Sequence, residues 1–138
     1  MGTTFVAKTV SQKIPWNVIV NERYTDSHPR TIYTCPTGKK AVGIVTAQCT
    51  GLGSATLARI RVDNGSDFIT LGEWRNVVPS TFSVSPPNAN RTNFNYFTLG
   101  TDMIKEISLT EGQEILTFQD SGTNAEFNIF LQVQETPA

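Results

Sequence analysis

One segment constrains the fold more than any other. In Phe127-Asn128-Ile129-Phe130-Leu131-Gln132-Val133-Gln134, the residues Phe127, Ile129, Leu131 and Val133 recur at every second position between mostly polar neighbours. A period of two is that of a strand with one face in a core and the other in solvent, because a helix scatters such side chains around its axis. Phe130 alone departs from it. An aromatic on the solvated phase fits cover by another subunit.

The same pattern runs upstream. Ile104 to Leu109 leads through Thr110-Glu111-Gly112-Gln113 into Glu114-Ile115-Leu116-Thr117-Phe118, with Gly112 as the turn between two strands. Ala41 to Cys49 and Ser54 to Val62 make a similar pair around Gly51-Leu52-Gly53. Asp63-Asn64-Gly65-Ser66 precedes Phe68 to Leu71, and Asp120 to Asn124 precedes the last strand. Turns at this spacing predict an all-β domain. The expected fold is an antiparallel β-sandwich, jelly-roll-like, over residues 30–138. The only helix candidate, Thr101 to Glu106, is one turn at most. Residues 1–29, with Pro15, Trp16, His28 and Pro29, fall outside the pattern and are expected to form an extended N-terminal arm or an added edge strand. Ser83 to Asn95, with Pro86-Pro87 and four asparagines, is expected to be a long exposed loop.

Composition narrows the function. A chain of 138 residues suits one domain with one core. The formal charge of −1 argues against nucleic acid as a partner, which would need a clustered basic surface. Arg59 and Arg61 alternate on one strand, Lys39-Lys40 sits in a turn, and both read as solvated faces. No apolar run is long enough to span a bilayer as a helix, and the N-terminus lacks the pattern of a secretory signal. Cys35 and Cys49 have no C-x-x-C partner and read as small buried hydrophobes, with a disulfide between neighbouring strands as the alternative. Gly51-Leu52-Gly53 lacks the Gly-Lys-Ser/Thr of a phosphate cradle, so no cofactor is implied. His28, the single histidine, reads as a solvated loop residue, and no nucleophile elbow accompanies it. The acids fall at turn boundaries, and Asp63 to Asp67 lacks the ligand spacing of a calcium loop. The chain is not expected to be an enzyme.

Two phrases carry a resemblance. Tyr33-Thr34-Cys35-Pro36-Thr37-Gly38-Lys39-Lys40-Ala41-Val42 is similar to the opening of the core domain in small β-sandwich proteins of tailed-phage virions. Those proteins place a tyrosine or leucine and a threonine before Pro-x-Gly-Lys and an alanine-valine strand. Leu109-Thr110-Glu111-Gly112-Gln113-Glu114-Ile115, followed by Phe127 to Gln134, resembles their closing phrase. The likeness spans about Thr31 to Glu135, with its specific residues at the two ends. Pro36 fixes φ while Gly38 and Gly112 admit positive φ, so both phrases are turn signatures. The arm and the proline-asparagine loop lie outside the likeness.

The resemblance implies a non-enzymatic virion structural protein of a bacteriophage, foremost a capsid decoration (cement) protein. It would sit on the outer capsid surface of a virion assembled in the host cytoplasm. Its implied partner is the major capsid protein, and its implied state is a homo-oligomer, dimer or trimer. The arm would make the shell or neighbour contacts through Thr3, Phe5, Val6, Val10, Ile14, Trp16, Val18 and Val20, adding a strand to an exposed sheet edge. Trp74, Phe94, Tyr96, Phe97 and Phe130 are the expected oligomer-interface or loop contacts. The alternative is a tail-associated or fibre carbohydrate-binding module with Trp74, Tyr96 and the loop from Ser85 to Asn95 at the sugar. Neither expectation involves a cofactor, a metal, nucleic acid or a membrane.

Overall fold

The computed structural model describes residues 16–25, 28–76, 95–121 and 124–138. Within them the chain forms β1 (Val18–Tyr24), β2 (Arg30–Thr34), β3 (Lys39–Gly51), β4 (Leu57–Asp63), β5 (Phe68–Arg75), β6 (Asn95–Thr98), β7 (Asp102–Thr110), β8 (Glu114–Gln119) and β9 (Glu126–Pro137). Burial follows the sequence alternation. Along β9, Phe127, Ile129, Leu131 and Val133 are buried, while Phe130, Gln132 and Gln134 keep partial exposure on the other side.

The strands make a four-stranded sheet, β1-β9-β3-β7, and a five-stranded sheet, β2-β8-β4-β5-β6. Every pair is antiparallel except β5 with β6. The chain changes sheet at every connection but β4–β5 and β5–β6. With β6 set aside, four strands face four, wound as a jelly roll around a shared core.

That winding corrects the expected strand pairs. The stretches from Ala41 and from Ser54 lie in opposite sheets, as do those on either side of Gly112. Their glycine turns arch over an end of the sandwich instead of closing hairpins. A reversal into the opposite sheet and one into the same sheet use the same turn residues, so periodicity cannot tell them apart. The turn at Asp63 to Asp67 does close a hairpin, β4 with β5. The expected helical turn from Thr101 is instead the start of β7.

Trp74 on β5 anchors the core between the sheets. It is fully buried, its indole N–H donates to the Thr101 carbonyl at 2.9 Å, and its ring packs on Phe97 and, edge-on, on Phe127 of the opposite sheet. A buried indole nitrogen needs such a partner. The two turn phrases, distant in sequence, meet at one end of the sandwich. Gly38 and Gly112 have φ of +78° and +83°. The Cys35 amide donates to the Gln113 carbonyl and the Gly112 amide to the Cys35 carbonyl, both at 2.9 Å. Beside them the Tyr33 hydroxyl donates to Glu135 at 2.5 Å, and burial together with that carboxylate pushes the phenol well above its usual range.

Of the segment expected as an arm or added edge strand, Val18–Tyr24 is β1, the outer strand of the four-stranded sheet. It pairs with β9 from Val18↔Val133 to Tyr24↔Phe127. Val18 and Val20 are partly buried and pack against the core. Thr3, Phe5, Val6, Val10, Ile14 and Phe94 lie outside the described residues.

Candidate functional site

Among the described residues, His28, the two cysteines and the Asp63 turn are engaged by their own neighbours. His28 is half-buried, not solvated as expected: its two ring nitrogens lie 2.7 Å from the Thr117 hydroxyl and 2.7 Å from the Ala125 carbonyl. A carbonyl can only accept, so Nε2 carries the proton that meets Ala125. Thr117 is fully buried, out of a substrate's reach, and among the described residues no carboxylate orients the ring as a triad requires. Cys35 and Cys49 are free and buried, with the length of β3 between them, and burial pushes the Cys49 thiol up to about 11. Thiols in that state are poor nucleophiles. In the Asp63 turn, Asp63 accepts from the Gly65 amide at 2.6 Å, and Asn64 accepts from the amides of Ser66 and Asp67. These oxygens cap the turn. No group of three or more histidine, cysteine or acidic side chains suited to a metal occurs among the described residues.

The outer face of the five-stranded sheet carries a charged layer that sequence reading missed. Ala58, Ile60 and Trp74 point into the core, so Arg59, Arg61, Glu73 and Arg75 point outward. Between Ile60 and Arg61 the register shifts, leaving Leu71 as an extra residue in β5. That bulge sets Thr70 beside Arg61 and Glu73 beside Arg59, re-aiming the side chains as bulges do. Glu73 is fully buried, and its two oxygens accept from Arg59 at 2.7 Å and Arg75 at 2.5 Å. The Arg61 guanidinium lies 3.9 Å from the Phe68 ring centre and 4.4 Å from that of Phe118. The expectation that Arg59 and Arg61 form a solvated face is therefore corrected: their side chains are only 11% and 13% exposed. The signal lay in an Arg-x-Arg on one strand and a Glu-x-Arg on the next, legible only once the register is known.

The outer face of the four-stranded sheet is different. Its cross-strand rows read Arg23–Asn128–Gln48–Asp102, then Asn21–Phe130–Thr46–Ile104, then Ile19–Gln132–Ile44–Glu106, then Gln134–Val42–Ser108. The first row is one hydrogen-bonded string. Arg23 donates to Asn128 at 2.9 Å, Asn128 to Gln48 at 3.2 Å, and Gln48 to Asp102 at 3.1 Å. The rows beside it mix apolar and polar residues, with Ile19 58%, Val42 44% and Ile104 68% exposed and Asn21, Glu106 and Ser108 at the other ends. Three of the four large exposed hydrophobics among the described residues thus share one face. Two shallow grooves cross it: one of about 310 Å³ beside Phe130 and the polar string, and one of about 540 Å³ among Trp16, Val42, Ile44 and Gln134.

Of the expected contact residues, Phe130 and Trp16 lie on this open face. Trp74 does not: it is a core residue and touches no surface. Phe97 packs against the core, and Tyr96 on β6 lies near Arg75 on the charged face. Ile19, Val42, Ile44 and Ile104 were not expected as contacts. Their outward phase follows from alternation, but their shared sheet does not. No family model, curated protein or solved structure matches the chain.

Proposed function

We propose that the chain is a non-enzymatic virion structural protein, a capsid decoration protein that binds and stabilises the shell. The observation that carries this reading is the open face of the four-stranded sheet. Among the described residues, the charged layer of the five-stranded sheet pairs largely within itself, whereas here exposed isoleucine and valine sit beside polar side chains on a grooved surface. Apolar side chains gathered this way on a soluble domain mark a contact surface. The jelly-roll winding and the two turn phrases that resemble phage virion proteins support a place on the outer capsid surface. Residues 1–15, joined to the open face through Trp16, are the segment assigned to the major capsid protein.

The fold alone does not choose the role, since jelly rolls serve capsids and lectins alike. A carbohydrate-binding module has one observation in its favour, the groove beside Phe130 lined by the string from Arg23 to Asp102. Planar polar groups next to an aromatic ring suit a sugar.

Purified full-length protein, added to parent-phage shells that lack it, should bind saturably at fixed lattice positions. It should also raise the temperature at which those shells rupture. Bare shells in electron micrographs at saturating protein sink the proposal. Specific binding on a glycan array in their place transfers the protein to the carbohydrate-binding reading.

A further inference from the structure

We infer that the open face of the four-stranded sheet pairs with the same face of a second copy, about a two-fold axis parallel to the strands. This pairing rests on the reading of that face as a contact surface and names its occupant. The charges select the axis. Arg23 on β1 and Asp102 on β7 close opposite ends of one row, with β9 and β3 between them. A two-fold along the strands, between β9 and β3, keeps each row in place and reverses its direction. Arg23, which also pairs with Glu126 of its own chain at 2.7 Å, then lies over Asp102 of the second copy, and Asp102 over its Arg23. The same operation sets Asn128 over Gln48, amide on amide, Gln132 over Ile44, Asn21 over Ile104, and Ile19 over Glu106 at the rim. A two-fold across the strands would place Arg23 near the Trp16 end and Asp102 over Ser108, where no opposite charge waits. An isologous interface needs this self-complementarity.

Area sets the strength. Four strands about 4.8 Å apart and four rows about 6.8 Å apart give a patch of roughly 20 Å by 25 Å. Two such patches bury on the order of 1,000 Å², the lower limit for a specific interface. The pairing is therefore a concentration-dependent equilibrium that a shell lattice would drive to completion.

Sedimentation velocity across the micromolar range tests it on the full chain, with urea midpoints to show that each variant folds. Wild type should shift from monomer to dimer with concentration, and Ile104→Arg should remain monomeric. Arg23→Asp and Asp102→Arg should each weaken association at least tenfold, by setting like charges face to face. The double variant should regain most of the loss. Positions 23 and 102 are three strand spacings apart, about 14 Å, so rescue within one chain cannot explain it.

The pairing is overturned by a wild type that stays monomeric, by a dimer indifferent to Ile104→Arg, or by a double variant no better than the singles. Shell binding is read separately. A chain that binds shells as a monomer overturns the pairing and keeps the proposed function. A chain that pairs but leaves shells bare does the reverse.

Discussion

The two outer faces of this sandwich come from similar-looking strands and end in opposite states. On the five-stranded sheet, Arg59 and Arg75 share one buried glutamate and Arg61 lies against two phenylalanines, so the long side chains cover their own sheet. On the four-stranded sheet, one row of polar side chains is bonded together, but beside it β-branched side chains are left uncovered, and Ile19 and Ile104 face solvent. Long side chains can fold down and cover their own sheet. Short ones cannot. A charged face that is internally paired has little left to offer a partner, whereas an open one with exposed isoleucines does.

The contrast breaks most severely at Glu73. Removing its carboxylate leaves Arg59, 11% exposed, and Arg75, 29% exposed, without their shared acceptor while Arg61 stands nearby. Loss of one partner from a buried ion network costs about 4 kcal/mol. Glu73→Ala should therefore show a large drop in urea midpoint and leave the open face unaltered in the folded fraction. A change below about 1 kcal/mol would mean the layer is solvated and the two faces are more alike than described.

The next largest effect belongs to the open sheet, where it depends on backbone approach instead of charge. A methyl group on Gly43 would lie 2.1 Å from the Gln132 carbonyl oxygen and 3.0 Å from the Val133 Cα, both on the neighbouring strand. Backbone in a central strand cannot yield locally, so Gly43→Ala should cost about 3 kcal/mol in urea unfolding. Gly72 in the other sheet is the control. Its added methyl would meet the Met103 sulfur at 2.7 Å and the Phe97 ring at 3.0 Å, side chains that can shift where backbone cannot, so Gly72→Ala should cost less, about 1–2 kcal/mol.

How much of this was legible in the sequence divides along the same line. The strands and the core residues of β9 follow from a period of two, which depends only on near neighbours. The turn at Gly112 was legible as a turn, but its arch to the opposite sheet depends on where β8 finds its partner, far away in sequence. The exposed isoleucines were not singled out in the sequence, because Ile19 and Ile104, on the two edge strands, share one face only through β9 and β3 between them. Trp74 misled because aromatic character marks cores and interfaces equally. The charged layer was hidden for a further reason: a bulge at Leu71, which no local pattern announces, brings Glu73 opposite Arg59.

The smallest predicted effect sharpens the comparison most, because it separates two arginines that look alike on β4. Arg59 binds Glu73 and is needed for that carboxylate's satisfaction. Arg61 has Asp63 at 3.9 Å, its Nε is buried without a hydrogen-bond partner, and burial lowers its pKa. Its stacking on Phe68 and Phe118 gains roughly 1–2 kcal/mol. The unpaired nitrogen and the desolvated charge cost a similar amount. Asp63 would not be stranded by its loss, since that carboxylate also accepts from the Gly65 amide. Arg61→Met, which keeps the apolar stem between the rings, should thus change stability by less than about 1 kcal/mol, while Arg59→Met should cost about 2. Equal losses at the two positions would show that the guanidinium on the rings matters as much as the one on the glutamate. The covered face would then be held by stacking across its strands, and Glu73 would lose its place as the residue that closes it.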